Sequence, residues 1–342
     1  MNPLASRAYP RITVVTPNLN QARHLEACIA SVVNQGYPNL EYIVVDGGSR
    51  DGSVEIIKKY ESCLHRWISE PDEGQYHAVQ KGFEGSSGEI MAWLNSDDKY
   101  HDRALFAMAE IFREFPDVEW LTGLPTEYTE DGVTISRITL PWARWSRYRF
   151  LTWDFQFIQQ ESTAWRRTLW DRAGSQLDLE MKLAGDLELW ARFFRHARLH
   201  TTTSLIGGFR YRCEGQRSRD LRPEYLAECR RVIQRERGHL SSGARLGLSA
   251  LRLMGVPLGI AFFLDIPLLR AAYRALFRIP PTLSYDFDRR SYVRRGGRVK
   301  LPPLFLNLRG LRVPGARAPS GSLAVTPVLM SDVPERTGAV ER

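Results

Sequence analysis

Between residues 11 and about 120, short apolar runs alternate with stretches whose apolar positions recur at helical spacing. Arg11-Ile12-Thr13-Val14-Val15-Thr16 predicts a first strand, and Leu25, Cys28, Ile29, Val32 and Val33 mark one face of a helix behind it. Gly36-Tyr37-Pro38-Asn39 ends that helix. Leu40 to Asp46 predicts a second strand, Gly47-Gly48-Ser49 a turn, and Asp51 to Tyr60 a helix. Leu64 to Ser69 predicts a third strand, Gln75 to Phe83 a helix, Ile90 to Leu94 a fourth strand and Asp102 to Phe115 a helix. Strands that read as continuous apolar runs are buried on both faces, and strand–helix alternation at this spacing predicts a mostly parallel sheet with right-handed crossovers.

Residues 118 to 215 are less regular. Trp120 to Gly123 and Thr134 to Ile138 predict strands, and Leu187, Trp190, Phe193 and Phe194 give an amphipathic helix over Asp186 to His196. Leu253 to Leu264 is strongly apolar, but Asp265 and Pro267 follow it and Arg252, Arg270, Arg274 and Arg278 flank it. That is marginal against the roughly 20 apolar residues of a spanning helix, and it fits a helix lying in a membrane interface. The competing reading is a helical hairpin in the core. From Pro314 onward Pro, Ser, Gly and Val are frequent, which predicts a disordered tail.

The 342 residues carry 47 Lys and Arg against 39 Asp and Glu, a formal net charge of +8. The excess sits from Arg137 onward and the first hundred residues are nearly balanced, so a local basic patch is expected rather than a nucleic-acid coat. No zinc-finger spacing or Arg/Lys-aromatic module appears, and nucleic acid is not an expected partner. Cys28, Cys63, Cys213 and Cys229 are scattered without metal-ligand spacing, as in a reducing compartment. The first apolar run, Ile12 to Val15, is too short for a secretory leader, so the chain is expected in the cytoplasm.

Acids fall at the predicted strand ends. Asp46 ends the second strand, Asp72 follows the third, and Asp97 and Asp98 follow the fourth. In a parallel sheet those ends share one edge, so distant carboxylates converge on one cleft. Adjacent buried acids are costly without a cation or donors, and a divalent metal holding a diphosphate accounts for them. A solvated turn capping the next helix accounts for the segment equally well when it is taken alone. Asp46 to Ser53 is glycine-rich but is neither GxGxxG nor a P-loop.

Together, Thr16-Pro17-Asn18-Leu19-Asn20, Asp46 to Ser53, Glu70-Pro71-Asp72-Glu73-Gly74 and Leu94-Asn95-Ser96-Asp97-Asp98 resemble the family 2 inverting glycosyltransferases over about the first hundred residues. A weaker likeness runs to roughly residue 220. The resemblance implies a GT-A type α/β fold, a mostly parallel Rossmann-like sheet flanked by helices, here with a helical C-terminal extension. It implies a domain over 11–240, with a nucleotide-sugar half (11–120) and an acceptor half (121–240). An N-terminal arm (1–10) precedes it, and an apolar helical segment (241–280) and an extension (281–342) follow. By the same resemblance, Thr16, Pro17, Asn18, Asp46, Gly47, Ser49, Asp72, Gln80, Lys81, Asn95, Ser96 and Asp97 contact the nucleotide sugar. Asp98, aided by Asp97, holds Mg²⁺ or Mn²⁺. Ala184 to Arg192 is similar to the family's acceptor-side helix, whose leading acid, Asp186, would be the general base rather than a helix cap. Gln159 to Ser162 resembles a loop near the acceptor.

The implied partners are a nucleotide-diphosphate sugar donor, a glycan or lipid-linked acceptor, and an anionic membrane surface at the inner face of the cell membrane. There are departures. His77 stands where relatives vary and reads as structural, and Gln80 replaces a common Asn. Near Phe209 to Glu214 no His approaches the diphosphate, and Arg212 could supply the charge instead. The QxxRW motif of processive synthases is absent, which favours one sugar per encounter. Two rivals are a nucleotidyltransferase, whose basic glycine-rich loop Thr16 to Asn20 does not supply, and a non-catalytic scaffold, which would not require Asp186.

Overall fold

The computed structural model describes residues 9–135, 145–152, 158–263 and 267–296. The first half alternates as the pattern predicts. Strands β1 (Ile12–Asn18), β2 (Leu40–Asp46), β3 (Arg66–Ser69) and β4 (Ile90–Trp93) are separated by helices α1 (Ala22–Val33), α2 (Ser53–Lys59) and α3 (Gln75–Phe83). Then follow β5 (Lys99–Tyr100), α4 (Ala104–Glu114), β6 (Trp120–Thr122), β7 (Thr126–Tyr128), β8 (Thr134–Ile135) and α5 (Arg147–Leu151). The predicted strand residues 136–138 lie outside the described residues. A 3₁₀ turn, Gln160–Ser162, leads into β9 (Thr163–Arg166), α6 (Arg167–Arg172), α7 (Gly185–His196), β10 (Leu199–Thr201) and β11 (Gly207–Arg210). The chain continues through α8 (Arg217–Asp220), α9 (Arg222–Gly238), α10 (Ser242–Phe263), α11 (Pro267–Leu276), β12 (Thr282–Asp286) and β13 (Ser291–Arg295).

The main sheet has the order β10-β6-β9-β4-β1-β2-β3. Its pairs are parallel except where β9 runs antiparallel between β4 and β6. The chain builds β1, β2 and β3 to one side and then returns to place β4 on the other side of β1. That reversal is the topological switch point, and open α/β sheets bind ligands in the crevice beyond the strand ends there. Pro17 sharpens it. The β1–β4 ladder stops at Val15–Trp93, and Pro17, which has no N–H to offer, lies just past the last pair. The two strands therefore part at the Asn18 and Leu94 ends.

The sheet separates two apolar cores. Ile12, Val14, Val44, Ala92 and the inner faces of α1 and α4 form one, and Val15, Ile43, Val45, Met91 and the aromatic cluster of α7 form the other. In that second core Trp93 and Trp190 stack with ring centroids 6.2 Å apart, while Trp165 meets Trp190 edge to face at 5.6 Å. Fully buried aromatics of this size dominate core energetics. They fix α7, and with it Asp186, against the sheet.

A small second sheet, β5-β11-β7-β8, crosses the mouth of the crevice. The hairpin β12–β13, at the start of the expected 281–342 extension, packs on the folded body: Leu283 is fully buried in the α1/α4 core and Thr202 bridges to it. The tail predicted from Pro314 lies outside the described residues.

Candidate functional site

Asn95 to Asp98 leave β4 at the switch point, and β11 runs antiparallel to β5 directly over them. This puts the Arg210 backbone amide on Asp98, donating to Oδ1 at 2.8 Å. The Arg210 Nε donates to the Asp97 carbonyl at 2.5 Å, and the Arg212 Nε lies 3.2 Å from the Asp97 carboxylate. Arg212 also donates to Gln21 Oε1 at 2.9 Å, so its guanidinium spans the crevice from the acid pair to the start of α1. Asp98 is 1% exposed. Burial, then the negative charges of Asp97 and Glu161, hold its carboxyl well above the usual range. Asn95 offers it only a long contact, 3.4 Å, and is itself positioned by Gln75, which donates to its Oδ1 at 2.8 Å.

Glu161 is the second buried acid here. The preceding Gln159 side chain clamps the Thr126 backbone, accepting from its N–H at 3.1 Å and donating to its C=O at 3.0 Å. Gln160 donates to the Trp93 carbonyl at 2.7 Å. The loop is thus tied to β4 and β7 on either side. Gly207 is required where β11 passes it, because a Cβ there would collide with the Glu161 carbonyl oxygen. Glu161 Oε1 is buried without a hydrogen-bond partner. Burial and the charges of Asp186 and Asp97 push its carboxyl up to about 8, against a smaller opposing backbone hydrogen bond.

Asp186 stands in the first turn of α7. A carboxylate there is expected to take first-turn amides, and this one accepts backbone hydrogen bonds from Leu187 and from its own N–H. The N-cap residue is Ala184, with no side-chain cap bond. Glu228 of α9 instead takes the backbone N–H groups of Lys182, Leu183 and Ala184 at 3.1, 3.0 and 2.8 Å. The Tyr76 hydroxyl is hydrogen-bonded by the Gly185 and Asp186 backbone. Asp186 Oδ1 is nevertheless buried and unpartnered, and burial, outweighing those backbone bonds, raises the carboxyl to about 6.

Asp97, Asp98, Glu161 and Asp186 are therefore one electrostatically linked set of acids. Their hard oxygens fit a divalent cation. The buried Asp98 carboxylate and the partnerless Glu161 oxygen are negative or polar groups that the described residues do not neutralise, although Arg212 already takes up part of Asp97. Among the described residues no three His, Cys, Asp or Glu side chains are poised as a complete cage. A cation held by one or two carboxylates takes its remaining ligands from phosphate oxygens and water.

Residues 13–168 match the model of glycosyl transferase family 2. Over those residues, less than half of the chain, it is similar to glycosyl transferase family 2. It is 36% identical over 101 residues to glycosyltransferase AglE of Haloferax volcanii, a match covering 28% of this chain and 33% of that one. It is 30% identical over 108 residues to a PGL/p-HBAD biosynthesis glycosyltransferase of Mycobacterium bovis, covering 31% and 42%. The matched region thus spans less than half the length of these relatives. Among solved structures, Staphylococcus aureus TarS 1–349 in complex with UDP-GlcNAc aligns with TM-score 0.57 at 17% identity, over 78% of this chain and 81% of that one. The mannosyltransferase PcManGT of Pyrobaculum calidifontis, in complex with GDP-Man and Mn²⁺, aligns with TM-score 0.52 at 18% identity, over 80% and 84%. At such identities the likeness is one of fold, the GT-A type.

Within this fold, the expected donor-site residues separate into three groups. Asn95, Ser96, Asp97 and Asp98 come together at the crevice, and Asn18 and Ser49 line the same strand edge. Asn18 Oδ1 is buried with no partner. Asp72 packs against Gly47, where a Cβ would meet its carboxylate at 2.7 Å, and Gly74 N–H donates to its Oδ1 at 2.8 Å. Lys81 pairs with Glu70 at 2.8 Å, beside the Asp72 loop.

Three of the expected donor contacts are engaged within the protein. Thr16 is fully buried on the core side, its hydroxyl 3.0 Å from the Tyr42 hydroxyl, because it shares its side of β1 with Ile12 and Val14. Asp46 is fully buried and already accepts five donors: Asn18 Nδ2, the Ser49 and Ser69 hydroxyls, and the Gly48 and Ser49 amides. A carboxylate has about four acceptor sites, so none remains for a base or ribose. Burial alone would raise Asp46, but these bonds outweigh it and its carboxyl lies below the usual range. Gln80 faces away from the crevice, accepting from Leu177 N–H at 2.9 Å and donating to the Ser175 carbonyl at 3.5 Å. His77 is structural as read, its Nδ1 accepting from the Glu73 amide at 3.1 Å.

Proposed function

We propose that this chain transfers a sugar from a nucleotide-diphosphate sugar to an acceptor hydroxyl, with inversion at the anomeric carbon and Asp186 as the general base. The observation that carries this reading is Asp186 itself. It is a buried acid in the first turn of α7, and one of its oxygens has no partner although the other side of the carboxylate takes backbone amides. A sugar hydroxyl is a weak nucleophile, and a positioned base contributes about 10²–10⁴-fold. With its carboxyl raised to about 6, Asp186 is a stronger base than an exposed Asp and is still ionised at neutral pH.

The donor lies in the switch-point crevice, its diphosphate toward Asn95 to Asp98 and its nucleoside along Pro17, Asn18, Gly47, Ser49 and Asp72. Asp98, aided by Asp97, would hold Mg²⁺ or Mn²⁺, which would supply charge neutralisation for the leaving diphosphate. Arg212 adds a fixed positive charge beside Asp97. The Gln159–Ser162 loop and α7 hold the acceptor so that its oxygen and Asp186 meet, and such orientation supplies the entropic part of the rate. The solved relatives bind UDP-GlcNAc and GDP-Man, so UDP- and GDP-sugars head the donor candidates. Biosynthetic relatives, for PGL/p-HBAD and teichuronic acid, support an acceptor among cell-surface glycans.

The test is hydrolysis and binding of UDP-, GDP- and dTDP-sugars with and without Mn²⁺, on wild type and Asp98→Ala. Turnover of one donor that needs the metal and disappears in the variant is expected. Turnover of a nucleoside triphosphate with a sugar phosphate would move the chain to the nucleotidyltransferase class. Failure of a folded wild type to bind any donor would leave a scaffold.

A further inference from the structure

Helices α10 and α11 depart from the way the rest of this molecule meets water. On α9 the exposed positions are chiefly polar or charged: Arg222, Glu224, Arg230, Arg231, Gln234 and Arg235. The outer stripe of α10 carries Leu246, Ala250 and Leu253, spaced i, i+4 and i+7, with Met254 beside it. Leu246 is 74% exposed and Leu253 79%. The outer stripe of α11 carries Leu268, which is 77% exposed, and then Ala271, Ala272 and Ala275.

The inner sides of these helices are already engaged. Leu248 is buried in the α7 core, and Tyr273 and Phe277 are buried, with the Arg149 guanidinium 5.4 Å from each ring. The exposed leucines are therefore not the core-facing side of a loose helix. They are a second apolar face, and a contiguous face of this kind marks an interaction surface.

Charge says what covers it. From His239 to Tyr285 the sequence carries five Arg (Arg245, Arg252, Arg270, Arg274 and Arg278) and one acid, Asp265. Arg245, Arg252 and Arg278 are solvent-exposed. Apolar residues flanked by arginine, with almost no acid, complement an anionic lipid surface, where leucines enter the acyl boundary and arginines meet headgroups. A second copy of the chain would bring the same arginines against one another. Among the described residues no helix is long and apolar enough to cross a membrane.

We propose that the outer faces of α10 and α11 dock the protein on a bilayer containing anionic lipid, lying in the interface without spanning it. The proposal does not depend on the transfer reading, and its test needs no activity.

Full-length protein is sedimented with vesicles of phosphatidylcholine alone or with about one quarter phosphatidylglycerol. Binding to the anionic vesicles is expected, weakening as salt is raised. Leu253→Glu combined with Leu268→Glu should lower the partition coefficient at least tenfold, with the circular dichroism spectrum and Tm unchanged. Arg245→Gln combined with Arg252→Gln keeps the apolar face. It should lower anionic binding by more than tenfold, at about fivefold per arginine, and leave the weak zwitterionic binding alone. Equal binding of wild type and both variants, or none by wild type, overturns the proposal. So does a concentration-dependent dimer in sedimentation velocity that Leu253→Glu dissolves while vesicles capture nothing. If the leucine variant misfolds, the arginine variant and the wild-type salt titration decide.

Discussion

Two sets of carboxylates share the strand-end edge of one sheet, and the structure treats them in opposite ways. Asp46, at the end of β2, is fully buried and fully satisfied, with five donors and a carboxyl held below the usual range. Asp98, Glu161 and Asp186 have fewer donors, and burial drives all three upward. The difference lies in the loops. The Asp46 loop turns its own amides and serines back on the acid. The Asp98 loop meets a neighbouring strand that spends one amide on it, and Asp186 takes first-turn amides but keeps one oxygen without a partner. A satisfied acid builds a turn, whereas an unsatisfied buried acid is held ready for a ligand or a proton.

The comparison breaks most visibly at Asp186. Asp186→Asn should lower kcat for transfer by about 10²–10⁴-fold, while leaving donor binding and Tm within error, because the Asn oxygen can still accept the first-turn amides and Glu228 holds those before them. A loss of Tm alongside activity would make Asp186 a structural acid like Asp46. Next in size is the pH dependence. A base must be ionised, so kcat/KM should fall about tenfold per pH unit below about 6, and Asp186→Asn should flatten that limb. A profile level down to pH 4.5 would remove Asp186 from the base role.

Asp46 should behave the other way. Asp46→Asn places an amide among donors, leaves several unsatisfied, and should cost about 2–4 kcal/mol of stability in urea titration. At a temperature where the variant is folded, donor affinity should change little. A tenfold weaker donor Kd with stability intact would show that the carboxylate reaches the nucleotide after all.

Glu161 sharpens the contrast from the stability side. Its folded pKa, about 8, lies above the ordinary 4.5. The stability tied to its protonated form is therefore complete below pH 4.5, declines as the unfolded chain ionises, and is lost as pH rises through about 8. Glu161→Gln should raise Tm at pH 8 by roughly 2 °C or more and leave it unchanged at pH 4. A lower Tm at both pH values would mean that the carboxylate is satisfied in solution.

Much of this was legible in the sequence, for identifiable reasons. The strands β1 to β4 are continuous apolar runs, and the turn residues between them set the alternation, so the switch point and the Asp97–Asp98 position followed. The orientation of Thr16 was also readable, since it alternates in phase with Ile12 and Val14. Three things were not readable. The insertion of β9 between β4 and β6 depends on pairing across more than seventy residues. The docking of the β12–β13 hairpin depends on Leu283 finding a distant core. The fate of each acid depends on donors brought by other loops, and a one-dimensional pattern carries no count of those. Glu161 had a local signal, an acid in the polar cluster Gln159 to Ser162 just before an apolar strand, but its lack of partners appears only in three dimensions.

The smallest expected effect tests the same lesson at a neutral side chain. Gln80 occupies a position where the family resemblance implies a donor contact, yet its amide is bonded to Leu177 N–H and the Ser175 carbonyl on the far side of α3. Removing it leaves one partly buried backbone amide unpaired, a loss of about 1 kcal/mol. Gln80→Ala should therefore lower Tm slightly and change donor KM by less than about twofold, within the scale of surface substitutions. Steady-state kinetics and a thermal melt on the same preparation separate the two readings. A donor KM raised tenfold with Tm unmoved would mean that the 175–177 loop releases Gln80 when donor binds, and the division between building and binding residues would have to be drawn again on that face of α3.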